Sequence, residues 1–270
     1  MAMRNYGIAV ALLALGTVVL STGAVPARAE GPAIESQARQ ILKRMTDYLG
    51  GLERFSMDTD NMLEDVLVSG QKIQYDFTAH VQIERPSKLR AARTGDLFQQ
   101  ELIFDGKTLT IFNPEDGYFA KAEAPGDIDG LLHFARDTLD IVPPVGDVIF
   151  TNAFELLTAG VTEGFVVGKS MVGGVRCDHL AFRTPLVDWQ IWIADGDKPL
   201  PYKYVLTTMD DPAHPQYLVL VSNWNTHTSF APGRFQFSPP EGAQEIEFLR
   251  MDCLLYTSDA ADDQGLVEMS

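Results

Sequence analysis

The feature that most constrains the fold is a strict alternation of apolar and polar residues over Gln71–Glu84. An apolar side chain at every second position from Ile73 to Ile83 is typical of a β-strand with one face on a core and the other in water. At ~3.3 Å per residue such a strand would be roughly 40 Å long, beyond the usual strand length. Long antiparallel strands are typical of curled, barrel-like sheets, so the pattern predicts a large antiparallel sheet.

A second stretch, Gly173–Met209, predicts three strands in series, because Thr184-Pro185 and the Asp195–Pro201 region supply turn and breaker residues between apolar runs. These strands are Val175–Arg183, Asp188–Ala194 and Tyr202–Met209. In the middle strand Trp189, Ile191 and Ile193 point to one face and Trp192 to the other. Large apolar groups on both faces require a cover on both sides of the sheet, or a ligand on one of them.

The first half of the chain reads as one helix followed by a strand meander. The helix spans 30–54, with an apolar stripe at helical spacing and a stop at Gly50-Gly51. A strand over Phe55–Leu67 is expected to be irregular at Asp60–Asn61. Asp105-Gly106 predicts a type I′ hairpin turn. The remaining strands of the meander are predicted at Leu89–Arg93, Leu97–Phe104, Lys107–Phe112 and Tyr118–Ala122.

The second half begins with two helices before strands resume. Asp127 is placed to cap a helix over Ile128–Leu139, and Thr151 or Asn152 a short one over about Asn152–Leu157. The further strands are predicted at Val161–Val167, Gln216–Trp224 and Glu245–Phe248. The order contains no alternation of strand and helix, which argues against a parallel sheet. We therefore predict one α+β domain over 30–250, an antiparallel sheet with a few helices on one side.

The two ends of the chain are predicted to lie outside this domain. Residues 1–29 have a basic start, a short apolar run and an Ala27-Arg28-Ala29 cleavage pattern, which predicts a secretory signal peptide. Residues 251–270 resemble translated adapter read-through and are interpreted as a disordered tail, a sequencing artefact. A soluble periplasmic protein that does not span the membrane is expected. The formal net charge of −16 argues against nucleic acid as a partner.

Catalytic and metal-binding patterns are scarce in this sequence. Gly168-Lys169-Ser170 resembles the end of a phosphate-binding loop, but Glu163 stands where that loop requires glycine. His179 could form a polar site with Asp178 and Asp188 if their strands pair, although a lone strand histidine is more often structural. We predict no cofactor, no metal and no enzymatic activity, with a hydrolase built on His179 as the least favoured alternative. Cys177 is interpreted as a small core residue rather than half of a disulfide with Cys253.

What remains is a large apolar surface on the strands. It is either an ordinary core between sheet and helices or, in part, a cavity for an apolar ligand. The candidate cavity residues are Tyr75, Phe77, Val81, Ile83, Trp189, Ile191 and Tyr204.

Several motifs resemble those of a family of predicted periplasmic proteins of unknown function. They are Cys177–Arg183, Asp188–Ile193, Pro199–Pro201, Arg85-Pro86, Tyr118 with 124–126, and Pro239-Pro240 with Gly242-Ala243. The family is related to the LolA/LolB/LppX superfamily of lipoprotein and lipid carriers. The resemblance, which covers roughly 33–249, implies a curved antiparallel half-barrel with helices as a lid on its concave side. It implies no binding residues, since the local motifs of the characterised carriers are not matched.

Two functions are carried forward from the sequence. The first is a periplasmic carrier or sensor of a lipid acyl chain or another hydrophobic small molecule. The alternative is a protein-interaction module on the same fold, which binds an envelope protein partner and holds no lipid.

Overall fold

The computed structural model describes residues 33–96, 99–124, 126–139 and 146–248. The predicted signal peptide at 1–29 and the predicted tail at 251–270 lie outside the described residues. No helix in the described part of the chain is long and apolar enough to cross a membrane.

The described strands form one large sheet whose neighbours are antiparallel except at one edge. In chain order the strands are β1 Arg54–Val66, β2 Lys72–Glu84, β3 Lys88–Gly95, β4 Gln99–Phe104, β5 Thr108–Asn113, β6 Tyr118–Glu123, β7 Glu163–Val172, β8 Val175–Arg183, β9 Val187–Ala194, β10 Pro201–Thr208, β11 Gln216–Asn225 and β12 Gln244–Ile246. Across the sheet their order is β12-β6-β5-β4-β3-β2-β1-β11-β10-β9-β8-β7. The predicted large antiparallel sheet with few helices is confirmed.

The strand predicted over Gln71–Glu84 forms as β2, because its period of two suits a sheet with two different faces. It pairs along its whole length with β1, from Lys72 opposite Val66 to Glu84 opposite Arg54. On its other side β1 pairs with β11, so that it joins the first meander to the second.

The predicted irregularity at Asp60–Asn61 is wrong. Both residues pair in register with β11, and the register shift lies instead between Ser56 and Asp58. Asn61 fits the strand because its side-chain amide donates to the Thr59 hydroxyl at 2.8 Å and to the Phe77 carbonyl at 3.2 Å. A polar side chain that finds such partners carries no penalty inside a sheet.

The hairpin between β4 and β5 forms, but its turn is not of type I′. That turn requires positive φ at both central residues, and in this loop only Gly106 has one, at 99°. Asp105 stabilises the loop differently, since its carboxylate accepts the backbone N–H groups of Lys107 at 3.0 Å and Thr108 at 2.8 Å.

Two other predicted strands are longer than expected. The strand predicted at Leu89–Arg93 extends over Lys88–Gly95, and that at Val161–Val167 begins at Glu163 and runs to Val172. Residues 97 and 98, the predicted start of the fourth strand, lie outside the described residues.

The helices are α1 Ser36–Gly50, α2 Ile128–Leu139 and α3 Ala153–Thr158, with a 3-10 turn at Gly146–Val148. α1 is shorter than the predicted helix over 30–54, because Ala33 and Ile34 instead bond as an extended segment along Gly164 of β7. Asp127 caps α2 as predicted, accepting the Gly130 N–H at 2.7 Å. α3 has no side-chain cap.

The two faces of the sheet differ, and we name them by their residues. Paired residues share a face, and the inner face carries Phe55, Ile83, Ile191 and Tyr204, which belong to one core with the buried side of the helices. From the helices this core takes Ala38, Leu42, Met45, Leu49, Ile128, Leu131, Leu132, Ala153 and Leu157. The opposite side is the outer face.

Trp192 lies on the outer face, as the alternation predicts, and it is covered by the protein itself. It packs with Cys177 and Val205 in a small second cluster. The ring of His179 stacks on it at 4.0 Å between centroids, and Lys203 Nζ lies 4.6 Å from the ring centre. The apolar character of both faces of β9 is therefore accounted for by neighbouring side chains.

Candidate ligand-binding face

On the inner face of β1–β5 and β10, one end of the strands is buried and the other is half-buried, whereas Tyr217, Val219 and Val221 of β11 are all buried. On β2 burial decreases from Ile83, which is fully buried, to half-buried Val81, Phe77 and Tyr75. Five other strands each have one inner-face residue that is buried and one that is half-buried. These pairs, with the buried residue given first, are Met57 and Leu63, Leu89 and Ala91, Phe104 and Leu102, Leu109 and Ile111, and Tyr204 and Leu206.

The buried end of this gradient is where the helices meet the sheet. The N–H of Ile128, the first residue of α2, donates to the Pro86 carbonyl after β2 at 2.9 Å. Arg85 donates to the Ile149 carbonyl ahead of α3. Away from this end the inner face keeps apolar side chains that are half exposed. We call this part the open inner face: Leu63, Tyr75, Phe77, Ala79, Val81, Ala91, Leu102, Ile111 and Leu206.

The seven candidate cavity residues all lie on the inner face, but in two environments. Ile83, Trp189, Ile191 and Tyr204 belong to the buried core. There Trp189 stacks on Phe182 with centroids 4.0 Å apart and meets the edge of Tyr204 at 5.9 Å. Tyr75, Phe77 and Val81 belong to the open inner face. The candidates therefore divide between residues packed in the core and residues on a half-exposed surface.

A polar network is set into this apolar surface beside Phe77. Tyr217 donates its hydroxyl hydrogen to Asn61 Oδ1 at 2.5 Å, and the Asn61 amide continues to Thr59. The ring of Tyr217 lies 6.3 Å from that of Phe77. Burial raises the pKa of Tyr217, while the positive charge of Arg93 acts to lower it.

Arg93 is a functional candidate that the sequence reasoning missed. It lies on β3 opposite Ala79, on the same face as Leu89 and Ala91. Its guanidinium donates to Gln100 Oε1 at 2.5 Å. Burial lowers the pKa of Arg93 from its ordinary value, and Tyr217 acts in the opposite direction. The signal was available, because alternation from Leu89 places Arg93 on the inner face.

A separate cleft of about 420 Å³ lies across β3, β2, β1 and β11. Most of its lining is on the outer face, for Asp60, Thr78 and Leu220 share that face. It adjoins Leu218, which packs on the Trp192 cluster. The cleft therefore lies mainly on the outer face, but the candidate residue Phe77 and its neighbour Asn61 also line it.

The predicted polar site around His179 does not form. Asp178 pairs with Ile193 and lies on the inner side of β8, whereas His179 lies on the outer side and bonds to Gln190 at 2.9 Å. Asp188 is held by Arg183 at 2.7 Å. These side chains fail to converge because neighbouring residues of a strand point to opposite faces.

Asp178 is instead part of a structural ion-pair cluster. Its carboxylate, almost fully buried, lies 2.7 Å from Lys169 Nζ, which also lies 2.8 Å from Asp195. Cys177 beside it is a buried free thiol, and burial raises its pKa to about 11. A thiol with so high a pKa is a poor nucleophile. Cys253 lies outside the described residues.

No group of three or more His, Cys, Asp or Glu side chains able to hold a metal ion occurs within 33–96, 99–124, 126–139 and 146–248.

A comparison with the sequence patterns of known families identifies the family of this chain. The family described as "Predicted periplasmic protein (DUF2092)" matches residues 38–249. The chain therefore belongs to the DUF2092 family, as the motifs in the sequence indicated. No curated protein matches the chain.

Several solved structures are similar to this chain at low identity. An uncharacterized conserved protein from Thermus thermophilus has 11% identity and a TM-score of 0.47, over 78% of this chain and 99% of its own. The lipoprotein LppX from Mycobacterium tuberculosis has 15% identity and a TM-score of 0.46, over 72% and 97%. The MucA/MucB complex from Pseudomonas aeruginosa matches with 14% identity and a TM-score of 0.43, over 75% and 62%.

Proposed function

We propose that this protein is a non-enzymatic periplasmic binding protein that holds an acyl chain or another hydrophobic ligand on the open inner face, as a carrier or sensor. The observation that carries the proposal is the gradient of burial along the inner face. Apolar side chains such as Phe77 and Leu102 continue the core beyond the helices but keep part of their surface exposed.

In this proposal the sheet is a half-barrel and the helices are its lid. α1, α2 and α3 close one end of the inner face through their buried apolar sides. A ligand on the open inner face would extend that core, against which half-buried Phe134 and Leu139 of α2 also pack. The candidate residues Ile83, Trp189, Ile191 and Tyr204 would then form the floor on which the ligand-contacting residues rest.

Burial of hydrocarbon alone is sufficient to bind such a ligand. Each buried methylene contributes about 0.8 kcal/mol, and the half-exposed rings of Tyr75 and Phe77 offer surface for it. The ligand class follows from this, because a flexible chain fits a strip of side chains distributed over several strands.

The test compares two substitutions of matched chemistry on opposite faces of the sheet. Phe77→Gln places an amide on the open inner face, and Leu220→Gln places one at an exposed position of the outer face. Native mass spectrometry of the delipidated chain with added dodecanol should detect a complex for the unsubstituted protein and for Leu220→Gln, with a much smaller bound fraction for Phe77→Gln. Equal uptake by both variants, or none by the unsubstituted protein, contradicts the proposal.

The alternative of a protein-interaction module has one specific observation in its favour. Ile34 bridges to β7 at Gly164, and Glu35 accepts the Val166 N–H at 3.2 Å. Beyond these contacts β7 is an edge strand, and Val167 and Met171 on it are exposed large apolar residues. An exposed edge with apolar side chains can add a strand from a partner. If the chain takes up no lipid, substitution of Val167 and Met171 by lysine should abolish capture of an envelope protein partner by cross-linking.

A further inference from the structure

The cleft of about 420 Å³ across β3, β2, β1 and β11 has an amphipathic lining. Strand pairing arranges its outer-face residues in two rows that cross the strands. One row is Leu220, Asp60, Thr78 and Thr94, and the other is Leu218, Met62 and Asp76. The apolar side chains therefore lie towards β11 and the polar ones towards β3, with Asp60 between them.

The apolar side of the cleft is accessible to water. Leu220 is an exposed large apolar residue, and Leu218 and Met62 are half-buried. Leu218 also packs on the Trp192 cluster, which fixes its position. These three side chains on two neighbouring strands offer a small hydrophobic surface against which another apolar group can pack.

The acidic side of the cleft carries negative charge without a cation. Asp60 is exposed, and its carboxylate has neither a hydrogen bond nor an ion pair within the described part of the chain. Asp76, its diagonal neighbour, accepts a hydrogen bond from the neutral amide of Gln74 at 3.0 Å. Diagonal neighbours on paired strands are about 7–8 Å apart, so a cation between the two carboxylates is attracted to both.

The basic residues beside the cleft do not balance this charge. Lys72, on the same face of β2, pairs with Glu64 at 3.0 Å. Lys203, opposite Leu220 on β10, directs its Nζ at the Trp192 ring, 4.6 Å from the centre. None of the described residues that line the cleft is lysine or arginine. The cleft therefore favours a positively charged occupant.

Charge and shape together limit the kind of occupant. The formal net charge of the chain is −16, so a second copy, nucleic acid and anionic lipid are all repelled. The outer-face lining is exposed or half-buried, which describes a shallow groove rather than an enclosed small-molecule cavity. In an extended peptide, side chains two residues apart lie on one side at a spacing of about 6–7 Å. That spacing is close to the distance between the two carboxylates.

We propose that the cleft binds an extended basic segment of a partner protein. A leucine or similar residue of that segment packs on Leu218 and Leu220, and lysine or arginine side chains two and four residues further along meet Asp60 and Asp76. The groove lies mainly on the outer face, so this inference does not depend on ligand binding at the open inner face. A carrier built in this way holds its cargo on one face and docks through the other.

The experiment is an NMR titration of the full isotope-labelled chain with the capped pentapeptide Leu-Gly-Lys-Gly-Lys. The backbone amide signals of the cleft should shift, and the same peptide with glutamate in place of lysine should bind at least about tenfold more weakly. Asp60→Asn combined with Asp76→Asn should weaken binding of the lysine peptide at least about threefold. Asp65→Asn combined with Asp197→Asn removes two exposed carboxylates outside the cleft and should leave binding nearly unchanged.

The apolar contact has its own pair of variants. Leu220→Gln should weaken binding of the lysine peptide, whereas Val68→Gln, at an exposed apolar position in the turn after β1, should not. A further reading needs no variant: affinity for the unsubstituted protein should fall as salt is added, because the contacts between exposed charges are screened.

Several results would overturn the inference. They are equal affinity for the lysine and glutamate peptides, equal affinity of the unsubstituted chain and the variant lacking both cleft carboxylates, affinity that does not depend on salt, and no binding of the lysine peptide. If 3-methylbutylamine binds as tightly as the peptide, the cleft is a site for a small amine and not for a protein. If sedimentation shows a dimer that Leu220→Gln dissociates, the groove belongs to a second copy of the chain.

Discussion

Tyr217 donates its phenolic hydrogen to the side-chain oxygen of Asn61 at 2.5 Å, across the boundary between β11 and β1. Both side chains are buried, with 7% and 6% of their surface exposed. The bond therefore links the two meanders of the sheet at a point where water cannot replace a lost partner.

The substitution Tyr217→Phe tests how much this hydrogen bond contributes to the free energy of unfolding. It removes the hydroxyl and keeps the ring on Phe77, so Asn61 Oδ1 loses its donor while the packing remains. The free energy of unfolding should fall by about 1–3 kcal/mol, measured by urea denaturation. Tyr75→Phe, on the half-exposed part of β2, is the control and should change stability by less than about 0.5 kcal/mol. Equal losses for the two variants would show that the buried bond contributes nothing of its own.

A second prediction concerns pH and His179. Burial lowers the pKa of His179, and Lys203 lowers it further, while Gln190 acts to raise it. The unfolded chain, with a histidine pKa of ~6.5, then binds the proton more tightly than the folded one. The stability that the neutral His179 ring contributes is fully present above the unfolded-state pKa. It is lost as the pH falls through that value towards the lower pKa of His179 in the folded protein.

The variant His179→Phe should make stability less sensitive to acid. The ring can still stack on Trp192, but it has no proton to bind. Between about pH 8 and about pH 5, the midpoint of urea unfolding should decline less for this variant than for the unsubstituted protein. His227→Gln, at an exposed position, is the control and should follow the unsubstituted protein. If the midpoints for His179→Phe and the unsubstituted protein decline equally with pH, protonation of His179 does not contribute to the loss of stability in acid.

The third prediction concerns Gly164, which the first described residues approach closely. A Cβ at this position would lie 2.6 Å from Cδ1 of Phe182 and 3.2 Å from Cγ2 of Ile34. The Phe182 ring is held by its stack on Trp189, so it has little room to move.

Gly164→Ala should therefore destabilise the fold by about 1–3 kcal/mol through overpacking, measured by thermal or urea unfolding. Gly50→Ala is the matched control. Its nearest neighbour would be the Thr151 carbonyl oxygen at 3.8 Å, and it ends α1, where alanine favours the helix by up to about 1 kcal/mol. A Gly164→Ala variant as stable as Gly50→Ala would mean that the Phe182 ring can move away from the added methyl group in spite of its stack on Trp189.

Strand positions could be predicted from the sequence because alternation is a local property. The register of side chains along Gln71–Glu84 needs no knowledge of the neighbours. The extent of burial is not local, for Phe77 and Ile83 have equivalent places in the same pattern but only Ile83 lies beneath the helices. The pairing of the strands could likewise not be predicted from local patterns, because the pairing of β1 with β11 joins residues far apart along the chain.

The candidate site shows the same limit. Tyr75, Phe77 and Val81 could be named from the sequence as inner-face residues, but so could Trp189 and Tyr204, which the structure places deep in the core. What separates them is where α1, α2 and α3 lie. Arg93 was missed because it ended the predicted strand and interrupts the apolar pattern of the inner face. The polar network was missed because Asn61 was interpreted as part of an irregular segment of the strand.

The place of β1 in the sheet has a consequence for the order in which the chain can fold. Its two neighbours are β2, the next strand along, and β11, whose Tyr217 is 156 residues from Asn61. Closing so long a loop costs entropy before any contact compensates for it. During synthesis from the N-terminus, the edge of β1 that pairs with β11 therefore stays unpaired until nearly all of the domain has been synthesised. During that interval the exposed strand edge is the point at which the nascent protein is most open to mispairing with another chain.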